Sequence, residues 1–488
     1  MIINYATKYL RSSLLLSAML GTTVSVAAAE KPNIIYINID DLGWADVGIN
    51  GSKYHETPHI DRLAREGMIF SNGYAAAANC APSRACAITG QYTPRHGVYT
   101  VQNSDRGDAK DRKLIPTKNT QFIKDANMTF GHALQQAGYA TVTIGKWHVS
   151  KDPLKNGFDI NIGGSSAGGP YSGGYHSPFK YPNLEVKEKG VYLTDLVTDK
   201  AIEQIQRLKA NPFCIYLPYF MIHGPLQAKA ELVEKYKNKK PTATQNNPVY
   251  AAMVETMDKN IGRLMQALKD EGVDENTMVI FTSDNGGVNV ENLQTPLRGG
   301  KGMYYEGGIR EPFFVRWPKV IKAGSVCDTP VTNIDFFPTF CEMAGTTAPK
   351  GKVLDGVSLM PLFKGGNIAP RALYWHFPIY LEKYGSATSK AMKEARDPLF
   401  RTRPGSVIRE GDWKLHEYFE DGGLELYNLV EDMSEQKNLA QTHSDKVEEL
   451  KAKLDAWRKE LNAPVPSKRN PQYKVVSDQL HTDPNRNN

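Results

Sequence analysis

Cysteine is scarce in this chain, with five residues among 488. A small disulfide scaffold needs a far higher share, so the fold must depend on an ordinary hydrophobic core, which a chain of this length can bury. A strong charge of one sign is also missing, since 59 Lys and Arg stand against 53 Asp and Glu. The resulting net charge of +6 allows an anionic partner but does not indicate a nucleic-acid-binding protein. The composition also excludes collagen-like, low-complexity and disordered chains.

Long apolar runs are absent apart from one near the start of the chain. Lys8 and Arg11 precede an apolar stretch from Leu14 to Val26, and three alanines end at Ala29. A membrane-spanning helix needs about 20 apolar residues, and this stretch is shorter. Its layout is typical of a secretory signal peptide, which we assign to residues 1–29. The mature chain would keep 57 basic and 53 acidic residues, a net charge of +4.

Export to the periplasm or the extracellular space would expose the cysteines to an oxidising compartment. Cysteines there usually pair or have a chemical role, and an odd number leaves at least one thiol unpaired. The five are Cys80, Cys86, Cys214, Cys327 and Cys341. The sequence therefore predicts at least one cysteine outside any disulfide.

Short apolar runs rich in β-branched residues alternate with amphipathic stretches over the first three quarters of the chain. The predicted strands are Asn33–Ile39, Ala140–Ile144, Phe213–Tyr219 and Met278–Thr282, and the predicted helices are His59–Glu66, Phe130–Ala137, Asp195–Lys209, Tyr250–Glu271 and Phe336–Ala344. Such alternation is typical of an α/β domain in which helices cover both faces of a mostly parallel sheet. We assign this domain to residues 30–365.

The pattern changes near Arg371, where short β-like segments lead into a charged helix. The predicted strands are Ala372–Trp375, Ser406–Arg409, Trp413–Tyr418 and Leu424–Asn428, and the helix is Asp445–Leu461. This indicates a smaller α+β subdomain with an antiparallel sheet over residues 366–464, followed by a polar tail over 465–488. Two long loops, Gly163–Gly174 and Glu382–Arg403, are of a length that is often functional.

Polar residues follow the predicted strands of the first domain. They are Asp40 and Asp41, Lys146 and His148, His223, and Asp284 and Asn285. Ligands of open α/β sheets bind at the carboxyl ends of the strands. A single Asp after a strand is more often a helix N-cap, but two acidic pairs at equivalent strand ends favour a hard divalent cation such as calcium or magnesium. The basic residues suit an anionic substrate beside the cation.

The sequence Cys80-Ala-Pro82-Ser-Arg84, continuing to Thr89-Gly90, indicates the start of a helix. Proline is tolerated only in the first helical turn, which places Cys80 at the N-terminus and Arg84 one turn later on the same face. A helix N-terminus with an aligned arginine is an anion site. A thiol there could itself be a nucleophile of low pKa.

With these motifs the chain resembles the sulfatase family of the alkaline-phosphatase-like superfamily over nearly the whole mature sequence. The matching motifs are Cys80-x-Pro82-Ser83-Arg84 with Thr89-Gly90, Pro32-Asn33-Ile34-Ile35 leading to Asp40-Asp41, Gly145-Lys146-Trp147-His148, Ser283-Asp284-Asn285-Gly286, and Gly300-Lys301-Gly302 before Tyr305-Glu306-Gly307-Gly308. Five ordered motifs in one chain make this resemblance far more specific than the first motif alone.

The resemblance implies that Cys80 is converted to formylglycine by a formylglycine-generating enzyme, which accounts for the odd thiol. The hydrated aldehyde would be the nucleophile, and its second hydroxyl would allow sulfate to be released. The resemblance also implies a divalent cation, calcium rather than magnesium, held by the formylglycine at position 80 and by four side chains. Those four side chains are Asp40, Asp41, Asp284 and Asn285.

The family's other roles fall on basic residues. Arg84 and Lys146 would hold the formylglycine, and Lys146 would also contact the substrate, while His148 would be the base that releases sulfate. His223 and Lys301 would bind the sulfate, and one of them would protonate the leaving oxygen. The family often has a second histidine where this chain has Leu226, so the identity of the general acid stays open.

Two further residues are substrate-contact candidates. Arg298 precedes the motif at Lys301, although a structural ion pair there is an equal alternative, and His176 lies just beyond the first long loop. The basic loop Glu382–Arg403 could face a polyanion, although a run of charged residues is usually a solvated face.

We expect Cys86 to be a buried structural thiol. The remaining histidines considered, His96, His132, His376 and His416, are expected in the core or on the surface.

The sequence thus predicts an exported sulfate-ester hydrolase that acts on a sulfated carbohydrate. Two alternatives stay open: a phosphodiester or phosphonate ester hydrolase of the same superfamily, and a binding protein for sulfated glycans that has no catalytic activity.

Overall fold

The computed structural model describes residues 31–124, 128–288, 291–384 and 390–474. The predicted signal peptide and residues 475–488 of the predicted tail lie outside these ranges. No helix within them is both long and apolar enough to cross a bilayer.

The main sheet has eight strands, which we label in chain order. They are β1 (Asn33–Ile39), β2 (Met68–Phe70), β3 (Ala140–Ile144), β4 (Ile160–Ile162), β5 (Phe213–Pro218), β6 (Thr277–Ser283), β7 (Phe314–Arg316) and β8 (Ser325–Cys327). Their order across the sheet is β8-β2-β7-β6-β1-β5-β3-β4. Only β7 is antiparallel to its neighbours, so the sheet is mostly parallel, as predicted.

The side chains of β1 alternate between two hydrophobic clusters. Ile35 and Ile37 face one cluster, and Ile34 and Tyr36 face the other. The whole strand is buried, because helices cover both faces of the sheet, and this explains its continuous apolar sequence. The longer helices are α1 (Pro58–Arg65), α2 (Cys80–Thr89), α3 (Phe130–Gln136), α4 (Leu193–Leu208), α5 (Ala230–Lys237), α6 (Pro248–Asp270), α7 (Phe336–Ala344) and α8 (Ser444–Glu460).

A second, antiparallel sheet follows in the chain, as predicted. Its strands are β9 (Ala372–Phe377), β10 (Gly405–Glu410), β11 (Trp413–Tyr418) and β12 (Leu424–Asn428), in that order. Helix α8 packs on it through Leu450 and Leu454, and the same cluster includes Cys86 of α2. The buried ammonium of Lys414 bonds to Glu306 at 2.9 Å, which ties β11 to the chain near the main sheet. The boundary predicted near residue 365 remains a prediction.

Minor elements complete the described chain. Two-stranded pairs form between Gly73–Tyr74 and Val331–Thr332, Phe179–Tyr181 and Leu184–Val186, and Leu381–Glu382 and Phe400–Thr402. Single α-helical turns lie at Thr93–His96, Glu306–Ile309, Met360–Phe363 and Lys390–Lys393. Short 3-10 turns lie at Trp44–Asp46, Gly48–Asn50, Ala109–Asp111, Pro153–Asn156, Asp274–Asn276 and Asn333–Asp335.

The described part of the predicted tail is held in place. Ile115 N–H donates to Lys468 O at 2.9 Å, and Asn470 N–H donates to Lys113 O at 2.9 Å. The Asn470 amide also donates to Ala109 O at 2.8 Å. A polar composition therefore does not leave this segment loose, because hydrogen bonds to backbone carbonyls hold it in place.

Candidate active site

Two strand ends bring three carboxylates together. Strands β1 and β6 pair in parallel register, with Ile39 opposite Ser283, so Asp40 and Asp284 leave the sheet side by side. The backbone of Asp41 has φ of 63°, and its N–H donates to Asp284 Oδ1 at 3.2 Å. Asp40, Asp41 and Asp284 have almost no exposure to solvent. Parallel pairing thus builds a buried acidic cluster at one edge of the sheet.

Helix α2 points its N-terminus at this cluster. Cys80 is the first residue of the helix and is 2% exposed. Its sulfur and carboxylate oxygens of Asp40 and Asp41 lie within 4.8 Å of one another. Burial raises the pKa of the Cys80 thiol above its ordinary value, so the geometry does not favour a reactive thiolate at this position.

Three cations balance the three carboxylates, of which Arg84 and Lys146 are buried and Lys301 is partly exposed in the cavity. Arg84 Nε donates to Asp284 Oδ2 at 2.7 Å. Lys146 Nζ donates to Asp40 Oδ2 at 2.6 Å, and Lys301 Nζ donates to Asp41 Oδ2 at 2.8 Å. Arg84 also bonds to the carbonyl of Lys146 at 3.0 Å, which links helix α2 to the residues after β3.

Burial and charge act in opposite directions on the pKa values of this cluster. Burial raises the pKa of Asp40 and of Asp284. At Asp41 burial acts in the same direction, but the charges of Lys301 and Lys146, with the hydrogen bond from Lys301, outweigh it and hold the pKa well below its usual range. At Lys146 burial alone would lower the pKa, yet the Asp40 carboxylate raises it above the ordinary value. Both shifts favour the charged forms, the carboxylate of Asp41 and the ammonium of Lys146.

The acidic cluster fits a hard divalent cation. The buried oxygens Asp40 Oδ1 and Asn285 Oδ1 accept no hydrogen bond, and a buried acceptor without a partner is costly. Asn285 Nδ2 donates to Asp41 Oδ1 at 2.8 Å, so the amide oxygen faces away from that bond. Carboxylate and amide oxygens are the ligands that calcium and magnesium prefer. The donor set that the sequence predicts is therefore present and incompletely satisfied.

Two histidines border the cluster. His223 Nε2 lies 4.0 Å from Asp41 Oδ2, and its Nδ1 lies 2.8 Å from Gly224 O. Burial, with the charges of Lys301 and Lys146, lowers the pKa of His223 to about 4. Burial and the charge of Lys146 also lower the pKa of His148 well below its ordinary value of 6.5. Both imidazoles are therefore held neutral near pH 7.

Two glycines of the first long loop pack against these histidines. A Cβ atom on Gly168 would lie 2.7 Å from His148 Cε1, and one on Gly169 would lie 2.9 Å from His223 Nδ1. Any side chain at either position would displace an imidazole. The length of the loop indicates a functional role from the sequence, but no sequence motif marks these two glycines as site residues.

A cavity of about 600 Å³ opens over Cys80, His148, His223 and Lys301. Its wall also includes Tyr384 and Arg401 of the basic loop Glu382–Arg403, which the sequence indicated as a loop that could face a polyanion. Other wall residues were not indicated as site residues by the sequence, and they are Gln102, Arg106, Gln121, Phe122, Tyr171 and Glu291. Tyr171 lies edge-on to His223, with ring centroids 5.9 Å apart. These side chains come from loops that only the fold brings together.

The structure does not bring two of the predicted substrate contacts to this cavity. The Arg298 guanidinium lies 3.8 Å from the Tyr305 ring centroid and donates to Glu435 O at 3.0 Å and Tyr427 Oη at 3.2 Å. It is thus a partly buried cation that is bound to the C-terminal strands through an aromatic ring, a hydroxyl and backbone carbonyls, and no ion pair of the kind expected as the alternative is found among the described residues. His176 is exposed and its ring packs on Tyr192.

None of the five cysteines forms a disulfide, and all lie in the described chain. Cys86 is buried, with its sulfur 3.4 Å from His96 Nε2. An oxidising compartment would allow disulfides among the four cysteines other than Cys80, but the structure shows none. His96, His376 and His416 are buried, and His132 is partly buried.

The α/β fold and this acidic, cation-rich centre define an enzyme of the alkaline-phosphatase-like class. The family model described as Sulfatase matches residues 32–346, and the one described as N-sulphoglucosamine sulphohydrolase, C-terminal, matches residues 300–461. A sulfatase of Formosa agariphila is 33% identical over 94% of both chains. The protein therefore belongs to the sulfatase family and is a sulfuric ester hydrolase.

Other relatives add detail to this membership. Human N-acetylgalactosamine-6-sulfatase is 32% identical, over 72% of this chain and 69% of its own. The crystal structure of Ps i-CgsB covers 88% of this chain and 93% of its own, with a TM-score of 0.72 and 30% identity. A structure solved with its substrate D-glucosamine-2-N,6-O-disulfate has a TM-score of 0.69 and 25% identity, covering 90% of this chain and 99% of its own.

Proposed function

We propose that the protein hydrolyses sulfate esters of a carbohydrate, with a formylglycine derived from Cys80 as the nucleophile and a divalent cation, calcium rather than magnesium, beside it. The observation that carries this proposal is the buried cluster of Cys80, Asp40 and Asp41, of which Cys80 and Asp41 line the cavity. A hydrated formylglycine would supply a hydroxyl nucleophile where the thiol itself is disfavoured by burial.

Asp40, Asp41, Asp284 and Asn285 would hold the cation. When bound, it would polarise the oxygens of a sulfate group and neutralise charge. The three carboxylates are already matched by Arg84, Lys146 and Lys301. A divalent ion would therefore leave the floor of the cavity positive, which favours an anionic substrate.

The basic residues would have different roles, which are to orient the group at position 80, to accept a proton and to bind the sulfate. Arg84 and Lys146, fixed by Asp284 and Asp40, would orient the group at position 80. His148 is neutral near pH 7 and can accept a proton as a base. Lys301 and His223 both lie beside Asp41 and in the cavity wall, so both can bind the sulfate.

The structure offers two donors for the leaving oxygen. Lys301 is charged, because the Asp41 carboxylate outweighs burial and raises its pKa well above the ordinary value. His223 is neutral, with its pKa lowered to about 4 by burial and by the charge of Lys301. The charged ammonium carries a proton at neutral pH, so we assign the general acid to Lys301 and sulfate binding to His223.

A sulfated carbohydrate is the substrate class that the relatives favour. N-acetylgalactosamine-6-sulfatase is named for a sulfated sugar, and one structural relative holds D-glucosamine-2-N,6-O-disulfate. Another structure of Ps i-CgsB holds k-i-k-neocarrahexaose. We further propose export by the leader at residues 1–29 and maturation by a formylglycine-generating enzyme.

The test is activity of the enzyme expressed with a formylglycine-generating enzyme and calcium. 4-Nitrophenyl sulfate and a sulfated oligosaccharide should be turned over faster than 4-nitrophenyl phosphate and a phosphonate ester. Cys80→Ala should reduce turnover to background. Cys86→Ala is the matched control, because it removes a buried thiol from the same helix outside the cavity, and it should retain wild-type rates.

Faster phosphate or phosphonate cleavage, or full activity in Cys80→Ala, would contradict the proposal. Binding of sulfated oligosaccharide without any turnover would identify a non-catalytic binding protein.

A further inference from the structure

Arg401 is a cavity-wall cation that has no acidic partner among the residues that the structure describes. It lies in the short strand Phe400–Thr402, which pairs with Leu381–Glu382 at the edge of the cavity. The other arginines of this region form ion pairs: Arg106 with Glu382, Arg396 with Asp421, and Arg403 with Asp397 and Glu420. Arg401 forms none with any described residue, and the adjacent residues 385–389 include no Asp or Glu.

The guanidinium of Arg401 is nevertheless fixed in position. Its Nε donates to Glu382 O at 2.8 Å, and its plane lies 3.7 Å from the ring centroid of Tyr384. Its Nη1 lies 3.4 Å from Lys301 O, and Tyr384 Oη donates to the same carbonyl at 2.8 Å. The hydrogen bonds of the guanidinium therefore involve Nε and Nη1, and no hydrogen bond from Nη2 is found among the described residues.

Arg106 provides the contrast within the same cavity. Its guanidinium also lines the wall, but the carboxylate of Glu382 neutralises it. The backbone carbonyl of Glu382 holds Arg401 without adding a charge. Among the described residues of this wall, Arg401 is thus a cation that is held in place without a paired carboxylate.

Arg401 is connected to the proposed reaction centre through Lys301. Its guanidinium contacts the backbone of Lys301, and the side chain of Lys301 reaches Asp41. Both residues line the same cavity, and Arg401 contacts the backbone end of Lys301 while Asp41 binds its ammonium. A sugar whose sulfate ester lies at Lys301 would place its other substituents, or those of the next sugar, toward Arg401.

We propose that Arg401 binds a second anionic group of the substrate, a sulfate or a carboxylate, on the reacting sugar or its neighbour. This inference rests on the proposed function, because it takes Lys301 as the site of the scissile sulfate. The planar guanidinium with free N–H groups matches the oxygen pairs of both anions. Arg401 would then determine which sulfated sugars are good substrates, without taking part in the bond cleavage.

The experiment compares doubly and singly charged substrates in three variants. The substrates are a monosulfated neutral disaccharide, the same disaccharide with a second sulfate, and one with a uronic acid carboxylate in place of the second sulfate. The variants are Arg401→Gln, Arg401→Lys and, as the matched control, Lys383→Gln. Lys383 belongs to the same segment but does not line the cavity, so its substitution removes equal charge outside the site.

The readout is the kcat/KM for a doubly charged substrate divided by that for the monosulfated one. A hydrogen bond to a charged group contributes about 1.5–3 kcal/mol, so we expect Arg401→Gln to lower this ratio by about ten-fold or more. Arg401→Lys should restore part of it, and Lys383→Gln should leave it unchanged. The substrate whose ratio falls more identifies sulfate or carboxylate as the preferred second anion.

Two results would overturn the inference. One is an equal loss on all substrates in Arg401→Gln, which would mean that Arg401 only supports Lys301. The other is an unchanged ratio. Calorimetric binding to Cys80→Ala with and without Arg401→Gln repeats the comparison without turnover. If the wild type cleaves no sulfate ester, the proposed function fails, while this binding comparison still tests Arg401.

Discussion

The ammonium of Lys146 lies 2.6 Å from Oδ2 of Asp40, and neither side chain is exposed to solvent. Removing one member of a buried pair leaves an uncompensated charge, which costs about 3–5 kcal/mol. We expect Lys146→Met to lower the free energy of unfolding by that amount in urea titrations of the metal-free protein.

The control for this substitution is Lys200→Met. Lys200 pairs with Glu203 at 2.8 Å on the surface, and exposed pairs contribute less than about 1 kcal/mol. Similar losses in the two variants would contradict the buried, charged state of the Lys146 and Asp40 pair.

Metal removal should affect both stability and activity. A ligand at 100 times its Kd stabilises the folded state by about 2.7 kcal/mol, so calcium should raise the unfolding temperature of EDTA-treated protein and restore hydrolysis. Asp284→Asn removes a proposed ligand charge and should abolish most of the thermal shift. Asp270→Asn, at an exposed position, should retain it. An equal calcium response in both variants would argue against the site.

The pH profile tests the role of His148. Burial and the charge of Lys146 lower the pKa of His148 well below 6.5, so the base form persists to lower pH than for a free imidazole. The acid limb of kcat/KM for an aryl sulfate should therefore lie below pH 6.5. His148→Asn should lower kcat by about 10²- to 10⁴-fold. A limb at pH 6.5 or above would contradict a buried neutral base.

Gly168→Ala tests the packing of the first long loop. The added Cβ would lie 2.7 Å from the His148 ring, so the imidazole must move. We expect kcat to fall by about ten-fold or more, since a misplaced base transfers protons poorly. The unfolding temperature should change little, and a fall in kcat that merely follows a loss of folded protein would contradict this reading.

Elements with a clear hydrophobic period were predictable to within a few residues. Strand β1 and helix α7 have the predicted bounds, as do β11 and β12. Their apolar side chains fill the core on both faces of the main sheet or on one face of the second sheet. This burial requires apolar residues at regular positions, which the sequence shows as a period. The juxtaposition of the strand-end residues Asp40 and Asp284 also follows, because parallel strands end at the same edge.

The rest of the cavity could not be predicted because its contacts have no local period. The sequence indicates the basic loop that contains Arg401, but not the two-stranded pairing that brings this one residue to the wall. Arg298 lies away from the cavity because Tyr305 and the C-terminal strands bind it. The tail is held by backbone hydrogen bonds that involve Asn470. Such contacts depend on the tertiary fold, and no local sequence pattern indicates them.

The mass of the peptide that contains Cys80 tests the central claim most directly. Trypsin should release residues 66–84 with Cys80 as their only cysteine, and residues 85–95 with Cys86 as the internal control. In protein from its native host, formylglycine would make the first peptide about 18 Da lighter than its cysteine form, while the second keeps an unmodified thiol. An active preparation in which Cys80 is entirely unmodified would contradict the account.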